Sequence, residues 1–391
     1  MRNLIITIAI VISASLDAAA GDIADKLADH SLTLEVRPGW VAPTSTYLKD
    51  LTGEGRRINT AVTPNLKYSF RFAPGTREGR LYPSAYQGLG LGYTATFPKT
   101  DLGHPVNIYL FQGAHLCSFT DRLSLDYEWN FGLSAGWKKY DEDSNPLNTA
   151  IGSKVNAYIN LGFMLSYRLS PSWKISAGVE GTHYSDGNTR LPNAGVNLIG
   201  GRIGITYTIG SGERLFRPDT DCGFERGWGY DLLLYGARRQ RTVDDGTNVQ
   251  QIVDVKFGVG GITFAPMYAV NRYLRAGVSL DMQYDESVNF DNCIVDGYYG
   301  DELKFYRQPF RERFSAGLSV HAELTMPIFS INAGIGRNVI AGCSDTRIFY
   351  QTLALKARIW KGAFINIGYQ IRDFHKPNNL MLGVGYTFGH R

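Results

Sequence analysis

The chain of 391 residues lacks several features that define common protein classes. It contains only 4 cysteines, and none of them stands at the spacing of metal ligands. In an oxidising compartment we expect structural disulfides or free thiols rather than redox centres, and four cysteines allow three pairings. These residues are Cys117, Cys222, Cys293 and Cys343.

The sequence also lacks a transmembrane helix and a strong net charge, which limits the protein classes that it can belong to. No segment after the amino terminus approaches the roughly 20 apolar residues that a transmembrane helix requires. The net charge of +4 is small and spread along the chain, so no nucleic-acid partner is predicted. Anionic lipid headgroups are a candidate partner, although charge alone is a weak indication of one.

The amino terminus carries the pattern of a removable export signal. Arg2 precedes an apolar run over residues 4–12, and small residues lead to Ala18-Ala19-Ala20. The next residue is Gly21 rather than cysteine, so a lipoprotein anchor is not indicated. We therefore predict a cleaved signal peptide over residues 1–20 and export from the cytoplasm.

Aromatic residues make up 13% of the chain and glycine numbers 44, a composition that suits a soluble β protein or a transmembrane barrel. The alternation of apolar and polar residues decides between them. It is unbroken over residues 123–137 and recurs over 155–169 and 365–372. Typical globular strands are shorter, at roughly 5–6 residues, whereas tilted membrane strands present an apolar outer face and a polar lumen face. We predict an all-β fold, an antiparallel transmembrane outer-membrane β-barrel.

The candidate strands number roughly 14–16 and form two series. The first series lies near residues 31–38, 65–72, 85–97, 105–118, 122–138, 154–169, 173–185 and 194–209. The second lies near residues 228–239, 251–266, 272–285, 314–325, 328–338, 346–360, 363–373 and 379–388. The sequence is compatible with one wide barrel or with two halves of about eight strands each. The expected organisation is a barrel half over 21–210, a linker or long turn over 211–226, and a second half over 227–391.

The two series end alike, which predicts an internal duplication. Residues 204–209 and 383–388 both read Gly-x-x-aromatic-x-apolar, and the pairs Pro192-Asn193 and Pro377-Asn378 precede them. The second of these segments closes the chain and resembles the carboxy-terminal signal of outer-membrane barrels. The barrel assembly machinery is therefore an expected partner during insertion.

The strand predicted over 173–185 places a base and a nucleophile on one face. Its odd positions are apolar from Trp173 to Gly181, and His183 and Ser185 extend this lipid-facing stripe. Positions i and i+2 of a strand lie roughly 6–7 Å apart, so an imidazole can lean toward the hydroxyl of a serine nucleophile. Asn197, on the outward face of the next strand, is predicted to lie across from His183 as the third member.

The segment His183-Tyr184-Ser185, followed by Pro192-Asn193, Gly195 and Asn197, resembles the outer-membrane lipid A 3-O-deacylase family, also described as acyloxyacyl hydrolase-like. The likeness covers about residues 60–210. That family is a small barrel whose His-x-Ser-Asn motif and downstream acid form a serine hydrolase site on the outer surface. The resemblance implies that Ser185 attacks the 3-linked ester of lipid A while His183 takes the proton.

The same resemblance also implies the partners and the cellular location of the protein. The expected partners are lipid A, or lipopolysaccharide, and outer-membrane lipid, and the expected location is the outer membrane of a Gram-negative bacterium. No cofactor and no metal are predicted, because no cluster of hard-oxygen ligands coincides with the motif.

Two residues depart from the family's pattern. Asn197 stands where the family has a glutamate, so it can orient the imidazole but cannot stabilise the imidazolium by charge, and a lower activity is expected. Asp186 stands where the family has an asparagine that donates to the oxyanion, and an ionised carboxylate there would repel the developing charge. Asn188 or backbone N–H groups of the loop are candidate substitutes. The residues expected to shape the loop are Pro192, Asn193 and Gly195.

A non-catalytic interpretation accompanies the enzymatic one. In it the chain is a pore, a transporter for hydrophobic molecules or a structural barrel, His183 and Ser185 are interfacial residues, and Asn197 closes a turn. The second half has no His-x-Ser counterpart and carries only Asp373 and His375 at outward positions. A wide barrel would permit conduction, whereas side chains would fill two narrow barrels.

Overall fold

The computed structural model describes residues 26–49, 57–97, 102–209, 223–244, 250–296, 304–374 and 376–389. The predicted signal peptide, Cys222, His375 and most of the predicted linker lie outside the described residues. No helix in the described ranges combines the length and apolar character needed to cross a membrane. The described residues form two antiparallel β-barrels, one in each half of the chain.

The first barrel is built from consecutive hairpins. Its strands are β1 (Leu27–Ala42), β2 (Thr60–Phe72), β3 (Ala85–Tyr93), β4 (Ala95–Phe97), β5 (Gly103–Ser118), β6 (Leu123–Trp137), β7 (Val155–Arg168), β8 (Trp173–Ser185) and β9 (Val196–Thr208). β3 and β4 pair with successive parts of β2 and occupy one position in the ring. Because β1 pairs with both β2 and β9, the ring closes.

The second barrel closes in the same way, by pairing of its first and last strands. Its wall consists of β10 (Gly227–Arg239), β13 (Phe257–Asn271), β14 (Leu274–Asp285), β17 (Phe314–Thr325), β18 (Phe329–Ala341), β19 (Phe349–Trp360), β20 (Ala363–Arg372) and β21 (Lys376–Gly389). Two small hairpins lie in its loops, β11 (Thr242–Asp244) with β12 (Gln250–Ile252) and β15 (Ile294–Asp296) with β16 (Lys304–Phe305). The described helices are single turns: α1 (Thr46–Lys49), α2 (Arg77–Leu81), α3 (Phe310–Arg313) and the 3₁₀ segments Phe290–Cys293 and Ser344–Thr346.

The predicted all-β barrel architecture is confirmed, in its two-barrel form. The strand predicted over 251–266 begins later, at Phe257, because the start of the predicted range belongs to β12, which pairs with β11 in a separate hairpin. The strand predicted over 85–97 is interrupted at Thr94, whose backbone N–H donates to Pro105 O across to β5. The internal duplication and the exact boundaries near 210 and 227 stay predictions.

Alternation along each strand separates an apolar exterior from a polar interior. In β8, Val179 is 65% exposed and points outward, whereas its neighbour Glu180 points into the lumen beside Arg37. The lumen of the first barrel is filled by an ion-pair network whose side chains are at most 7% exposed. Its members are Glu35, Arg37, Lys67, Glu128, Glu180 and Arg202.

A second ion-pair network fills part of the other lumen. Arg275 and Lys356 each bridge the carboxylates of Asp231 and Glu323 at distances of 2.6–3.0 Å. A barrel of eight strands leaves an interior just wide enough for such side chains. Ion-paired side chains inside both barrels are consistent with two narrow barrels rather than one wide one.

The two ends of the first barrel differ in loop length. A short turn over residues 169–172 joins β7 to β8, whereas residues 138–154 and 186–195 form long connections at the opposite end. Short turns face the periplasm in outer-membrane barrels and long loops face outward. The Ser185 end of β8 is therefore the outer end.

The barrels contact each other through their outer surfaces. The rings of Trp129 and Phe329 pack edge to face, with centroids 5.4 Å apart. The Tyr82 hydroxyl, in the first barrel, donates to Arg272 O in the second at 2.8 Å. These contacts place the barrels side by side.

The cysteines make no disulfide within the described residues. Cys117, Cys293 and Cys343 are free thiols. This matches the free-thiol alternative for these three residues.

Candidate active site

The outer end of β8 brings His183 and Ser185 to the lipid-facing side of the wall. The strand register pairs His183 with Asn197 of β9 and with Ile159 of β7. His183, Ser185 and Asn197 are all half-buried. The polar group thus lies at the upper edge of an apolar outer face.

The imidazole of His183 is held by Asn197. Nδ1 of His183 lies 2.6 Å from Oδ1 of Asn197. Because an amide oxygen only accepts hydrogen bonds, Nδ1 carries the hydrogen in this contact, and the lone pair of the neutral imidazole is then on Nε2. Among the described residues Nε2 makes no hydrogen bond, so this nitrogen is accessible to a proton donor, as a general base requires.

Gly195 leaves room for this ring. Its φ of +72° lies in the left-handed region, and a Cβ at this position would be 3.1 Å from His183 Cε1. Its backbone is fixed on both sides, since its N–H donates to Ala150 O at 3.0 Å and its carbonyl accepts from Thr44 Oγ1 at 2.8 Å. Gly195 therefore shapes the loop at the point where it contacts the ring of the candidate base.

Two hydrogen-bond donors converge on the Ser185 hydroxyl. The backbone N–H of Gly187 donates to Ser185 Oγ at 3.1 Å, and Nδ2 of Asn193 donates to it at 2.8 Å. An oxyanion needs such donors within hydrogen-bond distance of the position that it will occupy, and in the structure both are directed at Ser185 Oγ itself. In the part of the chain that the structure describes, no hydrogen bond joins Ser185 to His183, and such bonds often tighten only when substrate binds.

Asn193 is the site residue whose contact the sequence did not reveal. The sequence predicts only a loop-shaping role for it. In the structure its amide nitrogen contacts Ser185 Oγ and, at 3.4 Å, Oδ1 of Asn188. Its own Oδ1 is buried and has no hydrogen-bond partner among the residues that the structure describes. The position after a proline gave no signal of this contact, which depends on the path of the whole loop.

The carboxyl group of Asp186 is directed to the loop backbone rather than to the oxyanion donor's position that the sequence comparison suggested. It is 9% exposed, and its Oδ2 accepts a hydrogen bond from Arg190 N at 3.1 Å. Burial, which opposes ionisation, raises the pKa of its carboxyl to about 7 despite these loop hydrogen bonds. The side chain of Asp186 thus binds the loop backbone, and near neutral pH a large fraction of this carboxyl group is protonated and uncharged.

The other loop residues support this arrangement. Asn188 has a φ of +63° and hydrogen-bonds to Asn193 rather than to Ser185. Pro192 follows a cis peptide bond, and its carbonyl would lie 2.8 Å from a Cβ on Gly152. The loop over 186–195 is consequently packed closely against the loop over 138–154.

A second serine, histidine and asparagine group lies inside the second barrel. Nε2 of His321 is 2.8 Å from Ser319 Oγ, and Nδ1 is 2.7 Å from Asn332 Oδ1. Ser319 also donates to Asp281 Oδ2 at 2.6 Å. The order is Ser-x-His rather than His-x-Ser, and the group faces the lumen, where Ser319 is 5% exposed. An acyl chain in the membrane cannot reach it.

Asp373, the acidic residue at an outward position of the second half, contacts the backbone and a neighbouring arginine. Asp373 Oδ1 accepts a hydrogen bond from Phe349 N at 3.2 Å, and its Oδ2 pairs with Arg372 at 3.2 Å. Its predicted neighbour His375 lies outside the described residues. Asp373 thus stabilises a turn.

Comparison with known families covers both halves of the chain. Residues 34–206 match the family described as lipid A 3-O-deacylase, and residues 228–391 match the family described as acyloxyacyl hydrolase, C-terminal domain. No curated protein sequence matches the chain significantly.

Solved structures similar to the chain are membrane proteins of low sequence identity. The outer membrane enzyme PagL is 16% identical over 44% of this chain and 97% of its own, with a TM-score of 0.26. The COG4313 outer membrane channel from Pseudomonas putida F1 is 11% identical over 92% of this chain and 96% of its own, with a TM-score of 0.23.

Proposed function

Because the chain belongs to the lipid A 3-O-deacylase family through residues 34–206, we propose that it is an outer-membrane serine esterase. Its substrate is lipid A, as free lipid A or within lipopolysaccharide, and the product lacks the 3-O-linked hydroxyacyl chain. Ser185 is the proposed nucleophile, His183 the base and Asn197 the residue that orients it.

The observation that carries this proposal is the 2.6 Å contact between His183 Nδ1 and Asn197 Oδ1 on the lipid-facing side of the barrel, two residues from Ser185. The esters of lipid A lie where the sugar headgroup meets the acyl chains. The candidate site lies at the corresponding level, where the apolar outer face of β8 ends and the outer loops begin. Location and chemistry therefore agree.

The proposed reaction has two stages. His183 Nε2 takes the proton of Ser185 as Oγ attacks the ester carbonyl, and the tetrahedral oxyanion accepts hydrogen bonds from Gly187 N–H and Asn193 Nδ2. The carbonyl re-forms as the bond to the sugar oxygen breaks, the protonated imidazole gives its proton to that oxygen so that it leaves as a hydroxyl, and the acyl group stays on Ser185. Water, deprotonated by His183, releases the hydroxy fatty acid and restores the serine.

The amide at position 197 limits the rate in this scheme. Asn197 fixes the tautomer of His183, but it contributes no negative charge to stabilise the imidazolium that forms in each stage. Asp186 reduces the rate less than its sequence position suggested, because its carboxyl is directed to the loop backbone and has a raised pKa.

The test is to incubate the purified full chain in detergent micelles with lipid A and to follow the product by mass spectrometry. Loss of one 3-linked hydroxyacyl chain is expected, and it should vanish in Ser185→Ala and in His183→Ala. His104→Ala is a matched control, since His104 is an exposed histidine at the same end of the barrel, stacked on Tyr93. An unchanged lipid A, or equal activity of Ser185→Ala, would contradict the proposal.

A further inference from the structure

Residues of the second barrel hold the loop that carries the donors to Ser185. Gln240 directly follows β10 and contacts this loop twice. Its side-chain Oε1 accepts a hydrogen bond from Leu191 N at 2.9 Å, and its backbone N–H donates to Asn188 O at 3.2 Å. The two contacts clamp the middle of the loop from the side opposite the first barrel.

Leu380 of β21 packs against the start of the same loop. A Cβ added to Gly187 would lie 2.6 Å from both Cγ and Cδ2 of Leu380. Gly187 can therefore approach Leu380 only because it has no side chain. The approach fixes the peptide whose N–H points at Ser185 Oγ.

The two residues that follow Asp186 have a left-handed backbone. Gly187 and Asn188 have φ values of +65° and +63°, a region that glycine and asparagine adopt more readily than other residues. These two residues stand between Ser185 and the segment that carries Asn193. A change in their backbone would turn both donors away from Ser185 Oγ.

We propose that Gln240 and Leu380 are positioning residues for hydrolysis in the first barrel, which makes the second barrel part of the catalytic arrangement. The inference rests on the proposed function, since it assigns a purpose to donors aimed at Ser185. Joining the two barrels does not require these residues, because Trp129 with Phe329 and Tyr82 with Arg272 already join them.

The test compares two variants of the full chain with two matched controls. Gln240→Ala removes the acceptor for Leu191 N, and Leu380→Ala removes the contact with Gly187. Gln351→Ala is the control for the first, because Gln351 Oε1 also accepts a loop amide, Phe374 N at 2.8 Å, but within the second barrel. Leu382→Ala is the control for the second, because Leu382 lies on the same face of β21 two residues further along and is 46% exposed.

The readouts are kcat and KM for lipid A and hydrogen exchange in the peptide over 186–193. We expect Gln240→Ala and Leu380→Ala to lower kcat about tenfold or more with little change in KM, since small misplacements of catalytic groups have effects of this size. Exchange in the peptide should become faster in both. Gln240→Glu keeps an acceptor oxygen and should recover most of the rate, while both controls should match the wild type.

Several outcomes would overturn the inference. One is an active wild type with both variants within twofold of it, even if hydrogen exchange is faster. Another is an equal loss in the variants and in their controls, which would indicate general destabilisation. A wild type that leaves lipid A intact would instead remove the proposed function itself, and this inference with it.

Discussion

Replacement of Asn197 by aspartate should raise the rate of hydrolysis. Aspartate has the shape of asparagine, so a carboxylate oxygen can take the position of Oδ1, 2.6 Å from His183 Nδ1. The variant adds the one component that the proposed triad lacks, a negative charge beside the imidazolium.

The size of the effect follows from the geometry. Opposite charges with centres about 4 Å apart attract by about 4 kcal/mol at an effective dielectric constant of about 20. His183 and Asn197 are only half-buried, so solvent screens much of this attraction and about 1.4 kcal/mol is a reasonable expectation. That amount corresponds to about tenfold in kcat. KM should change little, because the imidazolium forms only along the reaction.

The assay is the initial rate of acyl release at several lipid A concentrations. Asn292→Asp is the control, since it adds the same charge at an exposed position in an outer loop of the second barrel. Asn197→Glu, which restores the family's acid, should gain less than Asn197→Asp, because the longer side chain does not fit the existing spacing. A rate in Asn197→Asp at or below that of the wild type would refute the orienting role of Asn197.

Three other variants test separate parts of the site. Asn193→Ala should lower kcat about 100-fold in the same assay, since it removes one of two oxyanion donors; an unaffected rate would exclude that role. The raised pKa of Asp186 means that the folded loop binds a proton more tightly than the unfolded chain does. The protonated carboxyl of Asp186 therefore stabilises the folded loop, fully so below the ordinary pKa of 3.8, and this stabilisation is lost as pH rises through about 7. Hydrogen exchange in the loop should therefore show opening that increases over this range, after correction for intrinsic exchange, and Asp186→Asn should remove that dependence. Ser319→Ala should keep wild-type activity, because Ser319 is enclosed in a lumen; a loss without unfolding would contradict the assignment to Ser185.

The fold was predictable because each strand of a membrane barrel has one face toward lipid and the other toward a polar interior. Lipid outside and a packed polar interior impose a period of two, which is clear in β6 and β8 and which correctly orients Val179 and Glu180. The same parity, with a hairpin between β8 and β9, was enough to place Asn197 across from His183.

The loop chemistry was not predictable for a physical reason. The contact from Asn193 to Ser185 depends on the left-handed residues 187 and 188. It also depends on the loop's hydrogen bonds to the carbonyls of residues 149 and 150 and on its two hydrogen bonds with Gln240. None of these constraints is periodic, and Gln240 lies in the other barrel. The lumen group of Ser319 and His321 was missed because its order reverses the His-x-Ser motif.

A trapped acyl-enzyme would identify the nucleophile without any substitution. The wild-type chain is mixed with lipid A, quenched in acid within the first turnover, digested and sequenced by mass spectrometry. A hydroxyacyl group on the side chain of Ser185 is the expected result. Release of fatty acid with the acyl group on another residue, or with none on the protein at any time, would contradict catalysis by Ser185 and His183.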